Sequence, residues 1–185
     1  MYRLRHNNFT GSMTSTILYG GIRIRSKIVR EYRMHIIKEF TGPYRFLSNF
    51  YKCIIDYEGL IYPSVEHAYQ AAKTLDFSER IRIRDAKTPG QAKRLGRTVK
   101  LRPDWDDIKV DVMRVLLRLK FSHPELRQKL LDTGHVYLQE GNYWHDTFWG
   151  VDLRTGQGQN MLGKLLMELR SELNNVNWAS FIGSP

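Results

Sequence analysis

Cysteine is nearly absent from this chain: Cys53 is the only one among 185 residues. That excludes an internal disulfide and any all-thiolate zinc cage. In Cys53-Ile54-Ile55 the thiol reads as part of a buried strand rather than as a nucleophile. No apolar run approaches the roughly 18 to 20 residues that span a bilayer, so no membrane segment is expected and a reducing, cytoplasmic setting fits. The Gly-x-Ser-x-Gly elbow of serine hydrolases is missing, as is the i, i+4 histidine spacing of a zinc helix. There is no βαβ alternation, and Gly156-Gln157-Gly158 alone does not make a phosphate-binding fingerprint.

Acid is scarce at one end. Residues 1–33 carry seven basic side chains against the single acid Glu31, so +6 of the net +10 lies there. The remaining +4 suits an anionic small molecule as well as a polymer. Three readings of this basic leader stand side by side: a disordered extension upstream of a natural start at Met34, a targeting peptide, or an arm for nucleic acid.

From Ile36 onward the chain is densely patterned. Ile36–Phe40, Lys52–Tyr57 and Leu60–Tyr62 read as strands, the last two closed into a hairpin by Glu58-Gly59. Helices follow over Val65–Leu75, with Ser64 as N-cap, over Ser78–Ala86, and from Thr88-Pro89 to Gly96. Asp104 opens the longest helix, in which Trp105, Ile108, Val112, Val115 and Leu119 face the core. A helix from Pro124 to Leu131, a strand within His135–Glu140 and a closing helix Asn160–Leu173 complete one domain, 34–174. A loose tail, 175–185, follows. This order predicts an α+β fold: a small antiparallel hairpin sheet with a helix-rich remainder.

Three groups of residues can carry chemistry. Glu66, Tyr69, Gln70 and Lys73 lie at i, i+3, i+4 and i+7 and share one helix face. A plain alternative makes Glu66 a partner of the helix macrodipole and Lys73 a solvated cation. Asp146 heads a glycine-broken loop that retains Phe148 and Trp149. It reads either as a turn cap or as a carboxyl group desolvated by those rings, with Trp149 a stacking face and Gly150 room for close approach. Tyr44–Tyr51 forms a wall in which Arg45, Ser48, Asn49 and Phe50 can stack on and hydrogen-bond a ligand. His67 and His145 are expected as pocket neighbours or surface residues, with no metal bound. Arg80, Arg82, Arg84, Lys93, Arg94 and Arg97 read as solvated helix faces or as a basic rim for a nucleic acid base.

Taken in order, the blocks Phe46-Leu47-Ser48-Asn49-Phe50-Tyr51, Ser64 to Lys73, Ala92 to Arg97, Trp105 with Met113, Lys120-Phe121, Leu130 to Gly134, Asp146 to Gly150, Asn160 to Gly163 and Leu166 to Arg170 resemble the YbiA-like, or NADAR, family. The resemblance covers residues 38–173. It implies a compact α+β fold and hydrolysis of N-glycosidic bonds, either of ADP-ribose attached to guanine or of ribosylamino-pyrimidine phosphates of the riboflavin pathway. It places Glu66, Lys73, Asp146 and Trp149 in the pocket, shaped by Asn49, Tyr69 and Asn160, and calls for no cofactor. ADP-ribosylated DNA is a further partner to consider, and a module that binds ADP-ribose without cleaving it is the alternative of a different class. The resemblance would lead one to expect glycine where this chain has Asp152.

Overall fold

A computed structural model describes residues 35–182, with side chains described as far as residue 175. The expectations for residues 1–33 lie outside the described residues.

The strands come first and are short. β1 (Ile36–Ile37) is followed by a 3₁₀ turn, Gly42–Leu47, and by the hairpin β2 (Ile55–Tyr57) and β3 (Leu60–Tyr62). Glu58 and Gly59, both at positive φ, make the turn of that antiparallel pair. Two further ladders were not expected. β1 pairs in parallel with β4 (Tyr137–Leu138), and β5 (Gly141–Asn142) pairs in parallel with β6 (Val151–Asp152). The α+β class holds, but among the described residues only one of the three two-stranded ladders is an antiparallel hairpin. β1 and β4 fall within the strands read at Ile36–Phe40 and His135–Glu140, whereas β5 and β6 are too short to carry a readable period.

The helices follow their caps. α1 (Val65–Ala71) starts where the Ser64 hydroxyl accepts from the His67 N–H. Behind that cap His67 is bolted in place: Ser64 Oγ lies 2.7 Å from Nδ1, and Nε2 faces the Ala86 carbonyl at 3.1 Å. Only 2% exposed, His67 is a core histidine rather than a pocket or surface one. α1 ends earlier than expected. Arg102 N–H takes the Lys73 carbonyl and Asp76 caps α2 (Phe77–Arg84), so Leu75 is turned outward and is 65% exposed.

α3 (Pro89–Leu95) runs from the Thr88 cap to Gly96 as its punctuation predicts. Gly96 is required for packing, because a Cβ there would lie 2.7 Å from Gln70 Cβ on α1. α4 (Trp105–Phe121) buries Trp105, Val112, Met113, Leu116, Leu117, Lys120 and Phe121, whereas Val115 is exposed. Of the expected stripe Trp105 and Val112 are buried and Ile108 and Leu119 pack half-buried against the core, and only Val115 faces out. α5 (Pro124–Asp132) precedes β4, and α6 (Met161–Ile182) continues past Leu173 while turning Leu162, Leu165, Leu166 and Leu169 inward. Arg170 is buried on the same face and donates to Thr133 Oγ1 and the Val136 carbonyl. No helix among the described residues is long and apolar enough to cross a membrane.

Lys120 is fully buried. Its Nζ donates to the Ser48 carbonyl at 2.7 Å and lies over the Tyr51 and Phe121 rings, tying α4 to the wall Ser48–Tyr51. Burial pushes its amine down to about 7. Between that value and the ordinary lysine value the unfolded chain holds a proton that the folded chain has lost, so stability rises with pH through this window. Urea titrations at pH 7 and pH 9.5 should show the wild type gaining stability relative to Lys120→Met as pH rises. A difference that stays constant would contradict the buried, deprotonating amine.

Candidate active site

One polar face of α1 opens into a cavity of about 410 Å³. Glu66, Tyr69, Gln70 and Lys73 form its floor, and the 3₁₀ turn with the residues just after it contributes Arg45, Ser48, Asn49 and Phe50. Lys93 enters from α3 and Met113 from α4, Glu140 from the link between β4 and β5, and Asn142, Trp144, Asp146 and Trp149 from β5 and the loop after it.

Glu66 is 5% exposed, and its Oε1 accepts from Gln70 Nε2 at 2.8 Å. Burial raises its pKa, which the Gln70 hydrogen bond, Lys93 and Lys73 oppose and Asp146 reinforces. Lys73 is half-buried with its ammonium 5.6 Å from the centre of the Tyr69 ring. Desolvation lowers its pKa, Glu66 opposes this, and Lys93 and Arg97 add to it. Tyr69 packs at 5.1 Å from Trp105 and edge-on at 5.5 Å from Trp149, and burial pushes its phenol up.

The Asp146 loop is held by Asn142. This side chain, 1% exposed, accepts from the N–H groups of Trp144 and Asp146 and donates to the carbonyls of Asp146 and Val151. Asp146 Oδ1 in turn accepts from the N–H groups of Phe148 and Trp149, at 3.2 and 2.9 Å. Asp146 thus caps its own turn and also lines the cavity.

Two expected pocket residues do not reach the lining. Asn160, at φ 52°, accepts the Glu140 N–H on Oδ1 and donates to the Leu138 carbonyl and the Tyr137 hydroxyl. Gly150 lies against the Glu140 backbone, where a Cβ would run into the Glu140 carbonyl oxygen. Both shape the segment behind the wall. Asp152 is buried at 1% and pairs with His145, which stands exposed at φ 61°. Its pKa is lowered first by the Arg154 N–H, and it lies outside the lining, in the turn behind β6.

Other lining residues escaped the sequence reading. Glu140 stands six positions before Asp146 in the same segment, a signal available in the sequence. Lys93 was assigned to a solvated face or rim, yet it lines the cavity and lies over the rings of Phe50 and Trp144.

A family model described as the NADAR domain matches residues 37–174. The chain belongs to the NADAR family. This NADAR chain is 44% identical over 136 residues to N-glycosidase YbiA of Escherichia coli, covering 72% of the chain and 84% of that protein. It is 39% identical over 140 residues to an N-glycosidase of Nostoc punctiforme, covering 72% and 88%. A riboflavin biosynthesis protein of Vibrio vulnificus is 42% identical over 145 residues, 75% of this chain but 39% of that longer protein. The NMR structure of E. coli YbiA superposes with a TM-score of 0.68 at 38% identity, over 80% of this chain and 92% of that one.

Removing Asn142 should free the loop. Asn142→Ala leaves buried N–H and carbonyl groups unpaired and should cost on the order of 3 kcal/mol in chemical denaturation. Amide exchange should accelerate at Trp144 and Asp146. A loop as protected as before would contradict this account.

Proposed function

We propose that this NADAR chain is an N-glycoside hydrolase that cleaves a ribosyl C–N bond, in ADP-ribosylated guanine or in a ribosylamino-pyrimidine phosphate. The observation that carries the reading is the convergence of Glu66, Asp146, Lys73 and Trp149 on one cavity. Its volume suits a small-molecule ligand. The relatives named N-glycosidase support the reaction class, and the Vibrio protein's name supports the pyrimidine substrate.

A glycosylamine on an exocyclic nitrogen opens its sugar ring readily, the ring oxygen taking a proton and C1′ becoming an iminium carbon. Desolvation favours the neutral amine of Lys73, and a neutral amine is a nucleophile toward that carbon. Lys73 adds to C1′, and Glu66 takes the proton that its nitrogen sheds. A proton then passes to the base nitrogen, the C1′–N bond breaks with its electron pair on that nitrogen, and Lys73 remains joined to the sugar as an iminium. Water adds to C1′ and gives up a proton, and expulsion of the Lys73 amine frees the sugar. Asp146, fixed by two backbone N–H donors, faces the positive charge that develops at C1′. Trp149 supplies a face against the base.

Sodium borohydride added during turnover should reduce the iminium and fix the sugar to Lys73, as a mass increment on its peptide. An unmodified peptide under active turnover would rule out the covalent route. Glu66→Gln and Asp146→Asn, each checked for folding, should lower kcat about 10²- to 10⁴-fold. Full turnover in both would dismiss the carboxylates from the reaction.

A further inference from the structure

Besides Glu66 and Asp146 the cavity is lined by two further carboxyl groups, Glu39 and Glu140, neither with a part in the steps assigned to Glu66, Asp146 and Lys73. Glu140 sits between β4 and β5 and lines the cavity together with Glu66 and Asp146. Its Oε2 is buried and has no hydrogen-bond partner on the protein. A buried carboxyl oxygen left without a partner is costly unless it meets a ligand or carries a proton.

The surroundings fix the backbone that carries this side chain. The Glu140 N–H donates to Asn160 Oδ1 at 3.0 Å, and its carbonyl accepts from the Val151 N–H at 2.9 Å. Gly150 packs flat against it, a Cβ there falling 3.2 Å from Glu140 Cγ. Asn160 and Gly150, which do not themselves line the cavity, both act on the residue that does. An unpartnered carboxyl group on a backbone anchored at both its N–H and its carbonyl, facing the cavity, is suited to an acid that must meet its substrate at a set place.

We infer that Glu140 is the proton donor to the leaving nitrogen, and so a third catalytic carboxyl group of this site. The inference rests on the hydrolase reading. In the step, the carboxyl O–H bond breaks and its proton goes to the base nitrogen as the C1′–N electron pair moves there, leaving Glu140 as a carboxylate. Water then adds to the Lys73-bound C1′, and the proton it sheds returns to Glu140. No oxidant or other co-reactant is required. The environment keeps this acid loaded near neutrality: burial first, then Asp146, pushes it up to about 7, with Lys93 and Lys120 opposing and Glu66 reinforcing.

The test uses the full chain and two ribosylamine substrates, one with a strongly basic leaving amine and one with a weakly basic amine that departs without protonation. Glu140→Gln should lose about 10²- to 10⁴-fold in kcat on the first, lose under tenfold on the second, and lack the alkaline fall of the kcat profile. Glu140→Asp, which keeps the acid on a shorter arm, should retain that alkaline fall at reduced kcat, and it decides the matter if the glutamine variant is misfolded. Equal losses on both substrates, or a Glu140→Asp profile without the alkaline limb, would overturn the assignment. Unchanged turnover in Glu140→Gln beside an active wild type would overturn the role of Glu140 alone. No release of base by the wild type from either substrate would overturn the hydrolase reading and this role together.

Discussion

Every residue of helix α1 is buried, although Glu66, Tyr69 and Gln70 among them carry polar groups. A helix packed on all sides cannot turn such groups to bulk water, so the fold must give them partners or a cavity. It does both. The Ser64 cap and the contact with Ala86 satisfy His67, Gln70 satisfies one oxygen of Glu66, and the rest of that face becomes the cavity floor. The neighbouring elements are placed accordingly. Gly96 lets α3 close on Gln70, Trp105 of α4 packs on Tyr69, and the Asp146 loop brings Trp149 onto the same ring.

Burial then acts on the charges. Glu66 and Glu140 are raised and Lys73 is lowered, in each case by desolvation first. None of these groups is held alone, since each carboxyl feels the cations of the cavity and each cation feels a carboxyl. An isolated buried charge of this kind would be expensive, whereas a mixed set tolerates burial and moves toward the protonation states that proton transfer needs. The geometry is kept by residues with no assigned step in the reaction. Asn142 organises the Asp146 loop, Asn160 and Gly150 set Glu140, and Lys120 anchors the wall at Ser48.

Local punctuation made much of this legible in the sequence. Thr88-Pro89 and Gly96 bound α3 because capping and proline chemistry are decided within a few residues. The Glu66 to Lys73 face was readable because helical spacing alone puts it together. What could not be read depended on distant partners. Leu75 follows a helical stripe yet points outward, because Arg102 and Asp76 end the helix first. β1 and β4 fall within strands legible in the sequence, but their parallel pairing, and the two-residue ladder β5–β6, rest on partners apart in the chain. Lys120 sits seven positions after Met113 and four after Leu116, so its burial was implicit in the period of α4, but its charge argued the other way. Asn160 and Gly150 belong to a recognisable motif, and only the hydrogen bonds and close packing show that they serve Glu140.

The central claim is that this cavity cleaves a ribosyl C–N bond rather than merely holding its ligand. Turnover in ¹⁸O-labelled water, followed by mass spectrometry of the products, addresses it most directly. The account predicts unlabelled free base from ADP-ribosylated guanosine or from a ribosylamino-pyrimidine phosphate, in step with free sugar carrying the label at C1′. Substrate recovered intact after long incubation, with calorimetry registering its binding, would contradict it.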